Sequence, residues 1–332
     1  MAITGSRKGG IGRDATSPIE IPEKGWKDVL KRVYKRFLDD GLSFDAAAVA
    51  FYFLLALVPA IAAVVAIYGL LMDQAKVVEH ISLLSGMLPD DVLNLLATEL
   101  KTIASSETTG WALAVSVGLA IWGSSKGISA ITDALNRVYV ENERRSFMRR
   151  KLNDLMLTAA LIIFTVVILL LVVIAPAIMK FAGLEDSSSD LIGILRWPAL
   201  FVTIILALTF LFRFAPCRTD AKWRWVAPGS VIATLLMVGA LAGMTIYATH
   251  GGGSSTTYGS LGAVVLLMFC FYLSALSLLL GGVINAETEH QTARDSTVGS
   301  DKPLGSRGAH VADTVGTTQW KPDKNTRISA IS

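Results

Sequence analysis

Six stretches of this chain are apolar on every side, and the segments between them alternate between many basic residues and few. The stretches are 46–71, 111–131, 155–179, 197–212, 226–248 and 261–286. A hydrocarbon core about 30 Å thick needs about 20 helical residues, and only helices or closed barrels satisfy their backbone groups there. Five of the six reach that length. The fourth is extended by residues 191–195 if Arg196 snorkels to the headgroups. None alternates with period two, as barrel strands would. The pattern predicts an all-α, polytopic membrane bundle of six transmembrane helices over residues 46–286.

Basic residues assign the sides. Lys and Arg number nine in residues 1–45, two in 72–110, six in 132–154, two in 180–196, four in 213–225, none in 249–260 and six in 287–332. Every second segment is rich, and both ends are. The positive-inside rule then places both termini in the cytoplasm and three loops on the outer side. The formal net charge of +3 adds little to this, because sidedness depends on where the charges sit. Cys217 and Cys270, one in a loop and one mid-span, suggest neither a disulfide nor a zinc site.

Outside the spans the chain divides further. Residues 1–24 read as a disordered cytoplasmic lead rich in Gly, Ser and basic residues. Over 25–40, Trp26, Val29, Leu30, Val33, Phe37 and Leu38 recur at helical spacing among Lys and Arg. That predicts an amphipathic helix lying in the interface against anionic lipid, in preference to one packed beneath the bundle. Residues 72–110 are too long for a plain connection. Two helical patterns there, with Pro89 and Asp90 opening the second, predict an outer helical hairpin between spans one and two. It would serve as a cap or a surface for an envelope protein partner, or be no more than an excursion on the membrane. Residues 287–332 lose apolar periodicity and read as a disordered tail.

Polar residues inside spans are where membrane proteins place chemistry. Lys126, Ser129, Asp133 and Asn136, with Arg137 beside them, follow helical steps at the inner end of the second span. They form a candidate polar face for an anionic headgroup; Lys126 alone is better explained by snorkelling, and it is the face as a whole that favours a polar cavity. Pro59 lies near the middle of the first span, where it is either a hinge or a packing kink. Asn285 is expected to cap or bond a neighbouring helix. His80, His250, His290 and His310 show no metal-ligand spacing, and no phosphate loop, nucleophile elbow or dinucleotide fingerprint is present. The reading is therefore of a protein that is not an enzyme and has no metal or cofactor. Its expected partners are membrane lipids; nucleic acid is not expected, because topology already accounts for the basic loops.

Several fragments together resemble the YihY/virulence factor BrkB family. They are Ala46-Ala47-Ala48-Val49-Ala50-Phe51-Tyr52, continuing to Pro59; Trp122; Ala134-Leu135-Asn136 with Tyr139; and Glu143-Arg144-Arg145-Ser146-Phe147. Trp223-Arg224-Trp225-Val226-Ala227-Pro228-Gly229, then Tyr258-Gly259-Ser260-Leu261-Gly262-Ala263, then Gly281 to Asn285-Ala286-Glu287 complete the set in the family's order. The motif positions so implied are Tyr52, Trp122, Arg145, Tyr258, Gly259 and Asn285. One departure is plain: where the family commonly carries an acid two places before the Asn, this chain has Val283, and Glu287 is the nearest remaining acid. The resemblance implies a six-span inner-membrane protein linked to virulence or envelope integrity. The family has also carried a ribonuclease label. The favoured function is transport or handling of a lipid or other amphipathic solute. The alternatives are a partner-recruiting envelope scaffold and, third and disfavoured, a ribonuclease.

Overall fold

The computed structural model describes residues 10–71, 110–169, 171, 188–249 and 262–317. Its long helices are α1 (Glu23–Asp39), α2 (Leu42–Leu71), α3 (Gly110–Val138), α4 (Phe147–Leu169), α5 (Ser188–Phe214), α6 (Trp223–Thr249) and α7 (Gly262–Glu289), with a last short turn α8 (His310–Asp313). A 3-10 turn, Pro18–Glu20, precedes α1. Helices α2–α7 fall on the six apolar stretches. Among the described residues, four helices are long and apolar enough to cross a membrane, and a fifth counts if α1 and the start of α2 are taken as one bent pair. The chain is an all-helical, multi-pass membrane protein. The expected outer hairpin of 72–110, together with Tyr258 and Gly259, lies outside the described residues.

Helix α7 is the axis of the bundle. From Leu278 almost every residue to Glu289 is buried, packed against α6, α2 and α3. Leu42, Ala46 and Val49 of α2 meet Ile128, Ile131 and Leu135 of α3, with Phe212 of α5 and Ala233 of α6 in the same core. Helices in lipid gain little by hiding apolar surface, so close approach of small residues matters more. At the α6–α7 crossing, a Cβ on Gly229 would stand 2.1 Å from the Gly281 carbonyl oxygen. Asn285 clasps the same crossing: its Oδ1 accepts from Gly229 N–H at 2.7 Å and its Nδ2 donates to Val226 O at 2.9 Å. Asn285 thus bonds a neighbouring helix. Elsewhere, Ile162, Ile163, Leu206 and Leu235 face outward, as lipid contact requires.

Gly41 turns the chain between α1 and α2 at φ +67, a left-handed conformation that glycine adopts without a Cβ penalty, and the helices bend there by 66°. One face of α1 is buried against α7. Arg32 Nε donates to Glu287 Oε2 at 2.6 Å, its Nη2 to Gln291 Oε1 at 2.8 Å, and Arg36 Nη1 reaches Glu287 Oε1 at 3.3 Å. The opposite face shows Leu30, Tyr34 and Leu38 to the outside. So α1 packs under the bundle and still presents an apolar stripe flanked by lysines.

Two expectations of disorder are corrected. Residues 10–22 and 287–317 are ordered and held to each other across the basic end of the bundle. Ala293 N–H donates to Arg13 O at 2.8 Å, Gln291 Nε2 to Ile11 O at 2.6 Å, and Lys222 N–H to Ser296 O at 2.8 Å. Arg307, 4% exposed, donates to the carbonyls of Ala293, Arg294, Lys302 and Ala312. Asp313 accepts the N–H groups of Gly305, Arg307 and Gly308. This cap has no apolar period because charged side chains satisfy its backbone, which a hydropathy pattern does not register.

Candidate functional site

Helices α2, α3 and α4 converge at the basic half of the bundle around a polar pocket of about 450 Å³. From α3 come Lys126, Ser129, Asp133 and Arg137; from α2, Asp45 and Tyr52; from α4, Phe147, Arg150, Lys151 and Asp154. Four of the five residues expected on the polar face of α3 therefore share one cavity. Asn136 does not join them. It stands one residue before Arg137, a rotation of about 100° on an α-helix, and is buried on a different flank. There it accepts from Cys217 N–H at 2.7 Å and donates to Glu143 Oε2 at 3.3 Å, tying α3 to the loop after α5.

The ionic arrangement of the pocket is uneven. Arg137 pairs with Asp45 through Nε at 3.0 Å and through Nη2. Arg150 Nη2 reaches both oxygens of Asp133, at 2.7 and 2.8 Å. Each arginine thus neutralises a carboxylate from another helix. The two lysines have no carboxylate partner among the described residues. Lys126 Nζ lies 5.9 Å from the centre of the Trp122 ring, and Lys151 Nζ is 3.4 Å from Ser125 Oγ. Two cations lining one cavity, without counter-ions among the described residues, are what a phosphate or carboxylate headgroup requires.

Beside this pocket the bundle holds an apolar hollow of about 380 Å³. All of α2–α7 contribute, including Phe53, Ile128, Leu157, Ala160, Ala207, Met237 and Phe271. Of its polar liners Thr165 and Ser274, Thr165 is satisfied within its own helix, donating to Leu161 O at 2.9 Å. Helices α2, α3 and α4 line both spaces at neighbouring positions: Ala48 and Val49, Ala130 and Ile131, Asp154 and Leu157. Polar and apolar chambers side by side match the two ends of an amphipathic molecule. Pro59, the expected hinge, falls within α2 in a stretch whose side chains are outside the description.

Asp45, Arg150, Lys151 and Asp154 were not anticipated. Arg149, Arg150 and Lys151 read as loop charges that set topology, and Asp154 stood just ahead of the third apolar run. Helix α4 in fact begins at Phe147, two turns earlier, and carries them onto the cavity wall. The available signal was helical spacing: residues 147, 150, 151 and 154 mark one face.

The motif residue Arg145 has a positioning role in the loop between α3 and α4. It donates to Glu143 through Nε at 2.8 Å and Nη2 at 2.7 Å, and to Ala215 O at 3.1 Å. Those hydrogen bonds hold the Glu143 carboxyl down at about 2 against an ordinary 4.5. A carboxyl depressed by folding stabilises the fold above its unfolded value, and that contribution fades as pH falls through the folded one. Glu143→Gln is therefore expected to melt below the parent at neutral pH, with the gap closing between pH 4.5 and about 2. Thermal melts across that window check it; a gap constant with pH would mean that the ion pair is not its source.

Comparison with known proteins is informative once this geometry is in view. The family profile described as Virulence factor BrkB matches residues 33–304. A Bacillus subtilis protein with a ribonuclease-like name, YfkH, is 30% identical over 266 residues, covering 77% of this chain and 94% of its own. A UPF0761 membrane protein of Idiomarina loihiensis is 24% identical over 276 residues, 82% of this chain and 94% of its own. Another, from Methylibium petroleiphilum, is 24% identical over 267 residues, 79% of this chain and 62% of its own. No solved structure matches.

Proposed function

The chain belongs to the virulence factor BrkB family of membrane proteins, and we propose that it moves or handles a membrane lipid, or a similar amphipathic solute, in envelope maintenance. The observation that carries this reading is the polar pocket of α2, α3 and α4, whose two lysines have no carboxylate partner among the described residues, set beside an apolar hollow lined by six helices. Lys126 and Lys151 would hold the anionic headgroup, and the hollow would take hydrocarbon. The salt-bridged Arg137 and Arg150 would keep the helices in register around it. The role is transport, not catalysis. In the same reading α2–α7 are six spans of a bacterial inner membrane with both termini cytoplasmic, which the alternation of basic segments supports. Leu30, Tyr34 and Leu38 of α1, flanked by Lys27, Lys31 and Lys35, would lie on anionic lipid at the inner surface.

Filling the hollow tests this. Ala160→Phe combined with Ala207→Phe places two rings in the apolar chamber and leaves the polar pocket intact. Each ~1.4 kcal/mol that the rings add to the barrier for hydrocarbon entering the chamber slows passage about tenfold. Translocation of a labelled phospholipid in proteoliposomes is expected to fall about tenfold to a hundredfold. An unchanged rate in a variant that keeps its thermal midpoint would remove the hollow from the path.

A further inference from the structure

The polar pocket also contains a carboxylate that an anion site does not need. Asp154 is 1% exposed and lines the cavity. Its Oδ2 accepts Ser129 Oγ at 2.6 Å, while its Oδ1 is buried without a hydrogen-bond partner among the described residues. An unpartnered buried carboxylate oxygen is costly. Nearby cations leave it so: Arg150 is taken by Asp133, Lys151 turns to Ser125, and Lys126 lies over Trp122. The site therefore offers, in one cavity, two cations for an anion and one acceptor for a strong donor.

We propose, on the lipid-handling reading above, that the pocket selects a phospholipid whose phosphate ester carries a primary amine, with the phosphate at Lys126 and Lys151 and an ammonium N–H completing Asp154 Oδ1. Lys126 and Ser129, which fixes Asp154, sit one turn apart on α3, about 5–6 Å between Cβ atoms. The two-carbon link of an ethanolamine headgroup separates phosphate from ammonium by a distance of that order. A choline headgroup has the same phosphate and positive charge but no N–H, so it leaves Oδ1 unmet. A glycerol headgroup offers only neutral hydroxyls, which make weaker bonds to a carboxylate than an ammonium does.

Delipidated protein in detergent, titrated with phosphatidylethanolamine or phosphatidylcholine of matched chains and followed by native mass spectrometry, decides between these. Phosphatidylethanolamine is expected to bind at least about tenfold more tightly, the worth of one charge-assisted hydrogen bond. Asp154→Asn should abolish that preference while phosphate-dependent binding persists, and Lys126→Ala with Lys151→Ala should weaken both lipids alike. Equal affinity for the two lipids in the unmodified protein overturns the amine assignment and leaves the headgroup pocket standing; this comparison needs no variant to fold. A preference that survives in Asp154→Asn also overturns it. Binding of neither lipid defeats both the assignment and the reading it rests on. Soluble phosphoethanolamine binding as tightly as the lipid would overturn the lipid class.

Discussion

Glu289→Ala is expected to cost about 3–5 kcal/mol of folding stability, because it leaves a buried arginine without its counter-ion. Arg218 and Glu289 are the most enclosed ion pair among the described residues, with side chains 2% and 0% exposed and contacts of 3.1 and 2.6 Å. Ser296 Oγ donates to the same carboxylate at 2.8 Å, and the Arg218 guanidinium lies 5.1 Å from the centre of the Tyr139 ring. The pair thus joins the loop after α5, the end of α3, the end of α7 and the C-terminal cap. Arg218→Ala should cost a similar amount. The double replacement Arg218→Met with Glu289→Leu should lie closer to the parent than either single change, since it removes the buried charges together. Thermal or denaturant unfolding of all four proteins in one detergent checks this. Singles that melt with the parent would show that the pair is solvated and the cap loosely held.

Gly229→Ala is expected to be comparably severe, by a different route. The added Cβ would stand 2.1 Å from Gly281 O and 2.5 Å from Asn285, and these neighbours are backbone and a buried amide rather than a flexible chain end. Helices α6 and α7 would have to part, and parting breaks the two bonds by which Asn285 clasps α6. Strain and lost hydrogen bonds together come to on the order of 3–5 kcal/mol. Gly239→Ala is the internal control: it lies on the same helix and its Cβ meets nothing within 4 Å. The expected result is a large loss of melting temperature for the first and little change for the second. Equal behaviour would contradict the close crossing.

The fold was legible where the bilayer dictates it. Helices α2–α7 coincide with the runs that hydropathy marks, and among the described residues four or five spans are long and apolar enough to cross. One wall of the pocket was legible as well, because Lys126, Ser129, Asp133 and Arg137 lie on one face of a single helix. The other walls belong to α2 and α4, and which helix packs beside which is not written in any local spacing. Charge was ambiguous for the same reason: Arg150 and Lys151 serve sidedness and cavity alike, and only the three-dimensional neighbour tells them apart. Asn136 follows the same helical steps as Lys126, Ser129 and Asp133, but it lies at the edge of that face and turns away from the cavity, towards Cys217 and Glu143. The cap of 287–317 escaped because order there comes from Arg307, Asp295 and Asp313 holding backbone groups, and polar, aperiodic sequence of that kind looks the same as disorder.

The most direct test of the central claim is the rate of phospholipid translocation in sealed proteoliposomes, measured for the unmodified protein, for Lys126→Ala with Lys151→Ala, and for protein-free vesicles. Lipid handling through the polar pocket requires the unmodified protein to exceed the vesicles, and the double variant, matched in reconstitution and thermal midpoint, to fall back towards them. Translocation undiminished in the double variant, or no faster than in protein-free vesicles for the folded parent, would contradict it.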